Sequence, residues 1–298
     1  MRKKIVISII LIVLIISALF LGKTKKVNEN DENQFKIVTS FYPMYIIALN
    51  ITDGAENIKL ENMADVSVGC LHEYTLVTKD LVKLENADVF IQNGLGVELF
   101  MDKVISNYPN INIIDSSVNV QDENVMHEDD EENGHIWLNI DNYITQVQTI
   151  SEGLCTLDSK NVDIYRKNTD EYIKKLEKLK EEYDSFEFTN KTVISFNEAF
   201  EYLLDYLNIE TIEIKTEGEE STMSAITLSE IIDKANEENI TTILLDKNDN
   251  TRDAKIIENE TNCTIQNLNS GLYGNFEKDA YINQMHENLQ KLQALLNK

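Results

Sequence analysis

The chain has 298 residues, with 52 acidic against 27 basic side chains and a formal net charge of −25. That length holds an amino-terminal targeting segment plus roughly two domains of ordinary size, and an apolar share of 42% excludes wholesale disorder. The charge excludes a nucleic-acid partner, whose phosphates would be repelled, and suits a surface that attracts cations.

The chain opens with Arg2-Lys3-Lys4, an apolar run over 5–22, and then Lys23, Lys25 and Lys26. A basic start before an apolar core is an export signal. The run exceeds the roughly 7–15 residues of a cleaved signal and approaches the roughly 17–25 that span a bilayer. The expectation is an uncleaved anchor over 1–26 that leaves the rest outside the cytoplasmic membrane; a cleaved signal is the competing reading. No cysteine follows the run to carry a lipid. Residues 27–34, polar and charged, read as a linker.

Short apolar strands then alternate with amphipathic helices. Strands are predicted over 35–40, 57–62, 87–92 and 111–114, and helices over 44–50, 78–85 and 96–106. The stretch 120–134 is acidic and has no apolar period, so it reads as an exposed loop. Helix resumes over 141–154. From 161 to 186, Tyr165, Tyr172, Leu176, Leu179 and Tyr183 recur at helical spacing, with Asp158 or Ser159 as the expected cap. That segment exceeds an ordinary helix and reads as a rod joining two lobes. After it the alternation restarts: strands over 192–196, 210–214, 241–245 and 264–268, helices over 198–207, 226–235, 251–259 and 280–296. Such alternation predicts an α/β fold with mainly parallel sheets. The expected divisions are an amino-terminal lobe over 35–156, a connecting helix over 157–187 and a carboxy-terminal lobe over 188–298. Pro43 and Pro109, the only two prolines, fall in loops or at element starts.

Four histidines occur. His72, in Cys70-Leu71-His72-Glu73-Tyr74, and His135, in Gly134-His135-Ile136-Trp137-Leu138, each lie between a predicted strand and a predicted helix. Loops at the carboxyl ends of parallel strands converge on one crevice, so both imidazoles can meet there, and neutral imidazole ligates zinc, copper, iron and nickel. His127 sits in the acidic loop and His286 on the last helix, where exposure is expected. The three cysteines are too sparse and odd in number for a disulfide framework. Cys155 and Cys263 read as small core residues; Cys70 is either a buried thiol or a soft ligand.

Taken together, Ser40-Phe41-Tyr42-Pro43-Met44-Tyr45, Leu84-Glu85-Asn86-Ala87-Asp88-Val89 running into Asn93-Gly94-Leu95-Gly96-Val97-Glu98, His135-Ile136-Trp137-Leu138, and Tyr165-Arg166-Lys167-Asn168 resemble the zinc/manganese ABC-transporter solute-binding proteins. The resemblance runs from about Phe35 to the carboxyl terminus. It implies two small α/β sandwich lobes held apart by a rigid helix. One metal ion, Zn2+ or Mn2+, would sit in the cleft as transported ligand. It further implies a monomer that hands metal to a permease and is not an enzyme. The family takes four ligands from four strand-end loops. Their positions fall here on His72, His135, Asn197 and Asn269, with Cys70-Leu71 where Asp-Pro is usual.

Two positions have thus become neutral amides, which can ligate but add no charge. Three repairs are open: Glu198 swings in beside Asn197, Cys70 joins, or water fills a position. Read alone, Glu198 is equally a solvent-facing carboxylate at a helix start, favoured by the macrodipole. Trp137 reads as core packing. The alternative to an importer component is a diverged surface interaction or sensory protein that no longer carries metal.

Overall fold

The structure is a computed structural model, and it describes residues 34–65, 74–121, 133–188, 191–214, 223–247, 249 and 251–296. The apolar amino-terminal run, Cys70, His72 and His127 lie outside the described residues. Among the described residues, no helix is long and apolar enough to cross a membrane.

Eight strands form two four-stranded parallel sheets. The first holds β1 (Phe35–Thr39), β2 (Ile58–Asn62), β3 (Val89–Gln92) and β4 (Asn112–Asp115) in the order β2-β1-β3-β4. The second holds β5 (Thr192–Ser195), β6 (Glu210–Glu213), β7 (Thr242–Asp246) and β8 (Thr264–Leu268) in the order β6-β5-β7-β8. The two sheets therefore share one topology. In each, the winding reverses between the first and third strands, and that is where an open α/β sheet presents a crevice beyond its strand ends. Central strands such as Val89-Phe90-Ile91 are buried, as a parallel sheet covered on both faces requires.

Between the sheets in the chain run α4 (Ile140–Leu157) and the 23-residue α5 (Val162–Asp184). The preceding helices are α1 (Tyr42–Ile51), α2 (Thr78–Leu84) and the short α3 (Asp102–Ile105). Asn139 caps α4, its side chain accepting the Asp141 and Asn142 N–H groups. The start of α5 differs from expectation. Its cap is Asn161 and has no side-chain cap bond, while the Asp158 carboxylate accepts the Tyr165 hydroxyl at 2.8 Å and the Asn161 amide at 2.7 Å. Tyr165, Tyr172, Leu176, Leu179 and Tyr183 are all buried, as their spacing predicts. At about 1.5 Å per residue α5 is about 35 Å long, a rod of the kind expected between two lobes.

The last helix, α9 (Ala280–Leu296), packs beside α5. Tyr281 stacks on Tyr143 with ring centroids 3.6 Å apart, the Tyr143 and Tyr172 hydroxyls meet at 3.2 Å, and the Tyr183 hydroxyl donates to the Met285 carbonyl. This aromatic spine belongs to the main core, which also takes in α1, α4 and the inner faces of both sheets. Smaller clusters fill the outer faces, one around Phe90, Met101 and Leu84, the other around Ile243, Leu245 and Ala254. Cys263 is buried in the second of these, and Cys155 packs half-buried against the main core.

Two predicted helices are shorter than expected. The expected helix over 96–106 is replaced by a turn whose Gly96, after Gly94 and Leu95, has positive φ, then a 3-10 turn (Leu99–Met101) before α3. Residues 198–207 split into a 3-10 turn (Glu198–Phe200) and α6 (Glu201–Tyr206). The remaining helices, α7 (Ala225–Glu237) and α8 (Arg252–Glu260), flank the second sheet.

Candidate metal centre

His135 sits just before a 3-10 turn (Ile136–Leu138) whose residues are all buried. Its loop is held from below by the turn after β3. Asn93 is wholly buried and donates to the Gly134 carbonyl at 2.9 Å, while its own side-chain oxygen accepts Gln146 at 2.9 Å. Asn93 is held in turn by Glu98, whose carboxylate accepts the Asn93 and Gly94 N–H groups at 2.8 and 3.1 Å. A β-carbon at Gly134 would lie 2.3 Å from Val97 Cγ2, so glycine is needed for the loop to lie this close.

From above, the loop is fastened to the second lobe. Trp137 Nε1 donates to the Ser270 carbonyl at 2.8 Å, and the Tyr281 hydroxyl donates to the Trp137 carbonyl at 2.7 Å. Trp137 is therefore core packing, as its size predicts, and also a cross-lobe donor. Gly271, at φ +75°, lets the chain pass the indole; a β-carbon there would sit 3.0 Å from Trp137 Nε1. Gly271→Ala is expected to cost about 1–3 kcal/mol through backbone strain and crowding, read as a lower urea midpoint. An unchanged midpoint would show that the loop shifts freely.

The His135 ring is 2% exposed. Its Nδ1 lies 2.7 Å from Asn133 Oδ1 and 4.0 Å from Glu198 Oε1, and the ring tilts against Trp137. The side chain of Glu198 is 51% exposed, at the start of its 3-10 turn as the solvent-facing reading expects, yet it is the carboxylate that comes to His135. Asn197 and Asn269 follow β5 and β8. Asn197 Oδ1 accepts the Ala199 N–H at 3.0 Å, and Asn269 Oδ1 accepts the Gly271 N–H at 2.9 Å. Both amide oxygens thus already serve the backbone.

The two asparagines are joined by residues that sequence reasoning did not single out. Asn197 Nδ2 donates to Asp249 Oδ1 at 2.9 Å, the Asp246 N–H donates to Asp249 Oδ2 at 2.6 Å, and the hydroxyl of Ser270, next to Asn269, donates to Asp246 Oδ2 at 2.8 Å. Burial pushes the Asp246 carboxyl up to about 6, against the hydrogen bonds from Ser270 and the Lys247 N–H that lower it; burial also raises Asp249. The one available hint was an acid closing the apolar run Thr242-Ile243-Leu244-Leu245-Asp246 at a strand's carboxyl end.

Beside Asn197 and Glu198 opens a cavity of about 180 Å³, also lined by Glu201, Asp205, Glu210 and Glu213. So many carboxylates at one mouth favour cations. Among the described residues, no group of three His, Cys, Asp or Glu side chains is close enough to hold a metal ion. The structure brings Glu198 to His135, with Asn197 beside Glu198 in sequence, and links Asn197 through Asp249 and Asp246 to Ser270, the neighbour of Asn269. His286 is exposed, as expected, and pairs with Glu182 at 2.7 Å.

Two parallel α/β sheets thus lie on either side of a long helix in the chain, with a buried histidine held by residues of both. The model of the family described as "ZnuA: Zinc-uptake complex component A periplasmic" matches residues 37–295. The chain belongs to that family. It is 24% identical over 270 residues to the manganese-binding lipoprotein MntA of Halalkalibacterium halodurans, covering 88% of each chain. To the manganese ABC transporter substrate-binding lipoprotein PsaA of Streptococcus pneumoniae serotype 4 it is 26% identical over 282 residues, covering 86% of this chain and 90% of that one. Among solved structures, the solute-binding protein FpvC of Pseudomonas aeruginosa in complex with Mn2+ superposes with a TM-score of 0.77 at 22% identity, covering 89% of this chain and 98% of that one. A crystal structure of ZnuA gives 0.76 at 23% identity, covering 88% and 99%.

Proposed function

We propose that this chain captures a divalent transition metal, zinc or manganese, outside the cytoplasmic membrane and delivers it to the permease of an ABC importer. The observation that carries the reading is the buried imidazole of His135, held at the strand-end crevice and facing the carboxylate of Glu198 from the opposite lobe. His72 is its expected partner from the first lobe. Glu198 supplies charge by swinging from its exposed position, and Asn197 and Asn269 line the cation through amide oxygens. The acidic cavity beside Asn197 concentrates cations at the entrance. The chain works as a monomer held at the membrane by its amino-terminal segment, and its task is transport rather than catalysis. The lobes span 35–156 and 188–298.

A ligand of the native state must stabilise it, by about 2.7 kcal/mol at a concentration one hundred times its Kd. The melting temperature of the full chain is therefore expected to rise with micromolar zinc or manganese, and His135→Ala is expected to weaken binding at least tenfold. If neither metal moves the wild-type melting temperature at 100 times micromolar (~100 µM, about 2.7 kcal/mol for a micromolar site), the importer reading fails. The second reading, a relative that has stopped carrying metal, is favoured by one observation: the amide oxygens of Asn197 and Asn269 are already bonded to backbone N–H groups. That same null titration is its expected result.

A further inference from the structure

We propose that Asn133 is the positioning residue that sets the tautomer of His135, keeping the hydrogen on Nδ1 and the basic lone pair on Nε2, and that it does so from contacts with the second lobe. The proposal rests on the metal-capture reading above and adds how the ligand is prepared.

The argument starts from which way the Asn133 amide points. Its Nδ2 lies 3.1 Å from the Glu198 carbonyl and 2.7 Å from the Glu201 carboxylate. Both of those groups only accept, so the NH2 end must face them. The oxygen end therefore faces His135. There Oδ1 receives the His135 backbone N–H at 3.1 Å and meets ring Nδ1 at 2.7 Å. An amide oxygen cannot donate, so the hydrogen in the ring contact belongs to Nδ1. A neutral imidazole has one N–H, which leaves Nε2 as the nitrogen that can give an electron pair to a cation.

Glu198 Oε1, 4.0 Å from the same Nδ1, adds to the preference, because negative charge on that side favours the hydrogen there. A metal-ligating histidine gains basicity and a fixed ring angle when its other nitrogen donates to an oxygen acceptor. Here that acceptor is itself held across the lobes: Glu201 and Tyr202 are on α6, and the Tyr202 hydroxyl donates to the Asn133 carbonyl at 2.7 Å. A first-lobe ligand is thus prepared by groups of the second lobe, so the contacts that favour its ligating tautomer exist only while the lobes are docked.

The test uses the full chain with 15N-labelled histidine. With four histidines in the chain, long-range 1H–15N spectra separate the rings, and His135→Gln assigns the resonance. Without metal, His135 is expected in the Nδ1–H form. Asn133→Ala is expected to move it substantially toward Nε2–H and to weaken zinc binding by about ten- to a hundred-fold. Asn133→Asp keeps an oxygen acceptor and is expected to keep the Nδ1–H form, which separates tautomer control from a general loss of folding. A wild-type ring in the Nε2–H form, or a tautomer ratio that Asn133→Ala leaves unchanged, overturns the proposal. Zinc failing to bind a wild type whose ring is Nδ1–H overturns the transport reading and supports the tautomer assignment.

Discussion

Replacing Trp137 by alanine is expected to lower the unfolding free energy by about 4 kcal/mol, a large part of the roughly 5–15 kcal/mol that holds an ordinary domain together. The indole is 1% exposed and fills the space between the lobes, edge-on to Phe41 with centroids 5.1 Å apart. Truncation removes that packing and leaves a cavity in a close-packed interior. It also strips the Ser270 carbonyl of its buried donor, and an unpaired buried acceptor costs about 1–3 kcal/mol. Trp137→Phe separates the two contributions: it keeps most of the ring and loses the N–H, for an expected cost of about 2 kcal/mol. Urea unfolding followed by circular dichroism measures both, since Trp137 is the chain's single tryptophan and cannot report on its own replacement. A loss below about 2 kcal/mol for the alanine variant would mean that the lobe junction repacks, contrary to the close-packed interior assumed here. Because His135 lies two residues away, the alanine variant is also expected to bind zinc less tightly.

The parallel sheets were legible because their strands are short apolar runs bounded by turn residues, as in Val89-Phe90-Ile91 before Asn93-Gly94. The long helix was legible because its tyrosines and leucines keep one face over about five turns, from Tyr165 to Tyr183. What misled was local backbone. Leu95 at φ 51° and Gly96 at φ 75° are left-handed residues that no apolar period reveals, and where a helix is expected over 96–106 the chain makes a turn, a 3-10 turn and one short helix. At the site, the family pattern around Trp137 marked His135, and the strand-end rule placed it in a crevice. Asn133, Asp246 and Asp249 carried no such mark. Their importance comes from what stands opposite them after folding: Glu201 and Tyr202 for Asn133, Ser270 and Asn197 for the aspartates. These are bonds between residues 24 to 69 positions apart, and no local spacing encodes them.

Glu98 should make stability fall as pH rises through neutrality, in a way one substitution removes. The carboxyl is 4% exposed, and burial pushes it up to about 7, against the Ser40 hydroxyl and the Asn93 and Gly94 N–H groups that lower it. In the unfolded chain it titrates near the ordinary 4.5. Between those values the folded state holds a proton that the unfolded state has lost, so protonation favours folding. The contribution is fully present below about pH 4.5 and is lost as pH climbs through about 7; the displacement is worth about 3 kcal/mol. Glu98→Gln is neutral at every pH. It sets an NH2 near the Asn93-Gly94 turn and carries a constant penalty for that, but it has no proton to lose. The variant is therefore expected to gain on the wild type by about 3 kcal/mol between pH 4.5 and 8. Comparing the two proteins cancels the many surface carboxylates, whose titration both share. Urea midpoints measured across that range decide it: parallel curves would mean that Glu98 is ionised in the folded protein throughout, with its charge carried by the turn's N–H groups alone. The consequence reaches the metal centre, because Glu98 holds Asn93 and Asn93 holds the Gly134 carbonyl directly before His135. Where the wild type loses this stability, the His135 loop is the segment expected to loosen first, and protection of the His135 and Ile136 amides against hydrogen exchange, after correction for the base-catalysed rise with pH that both proteins share, should fall in the wild type above pH 7 and not in the variant.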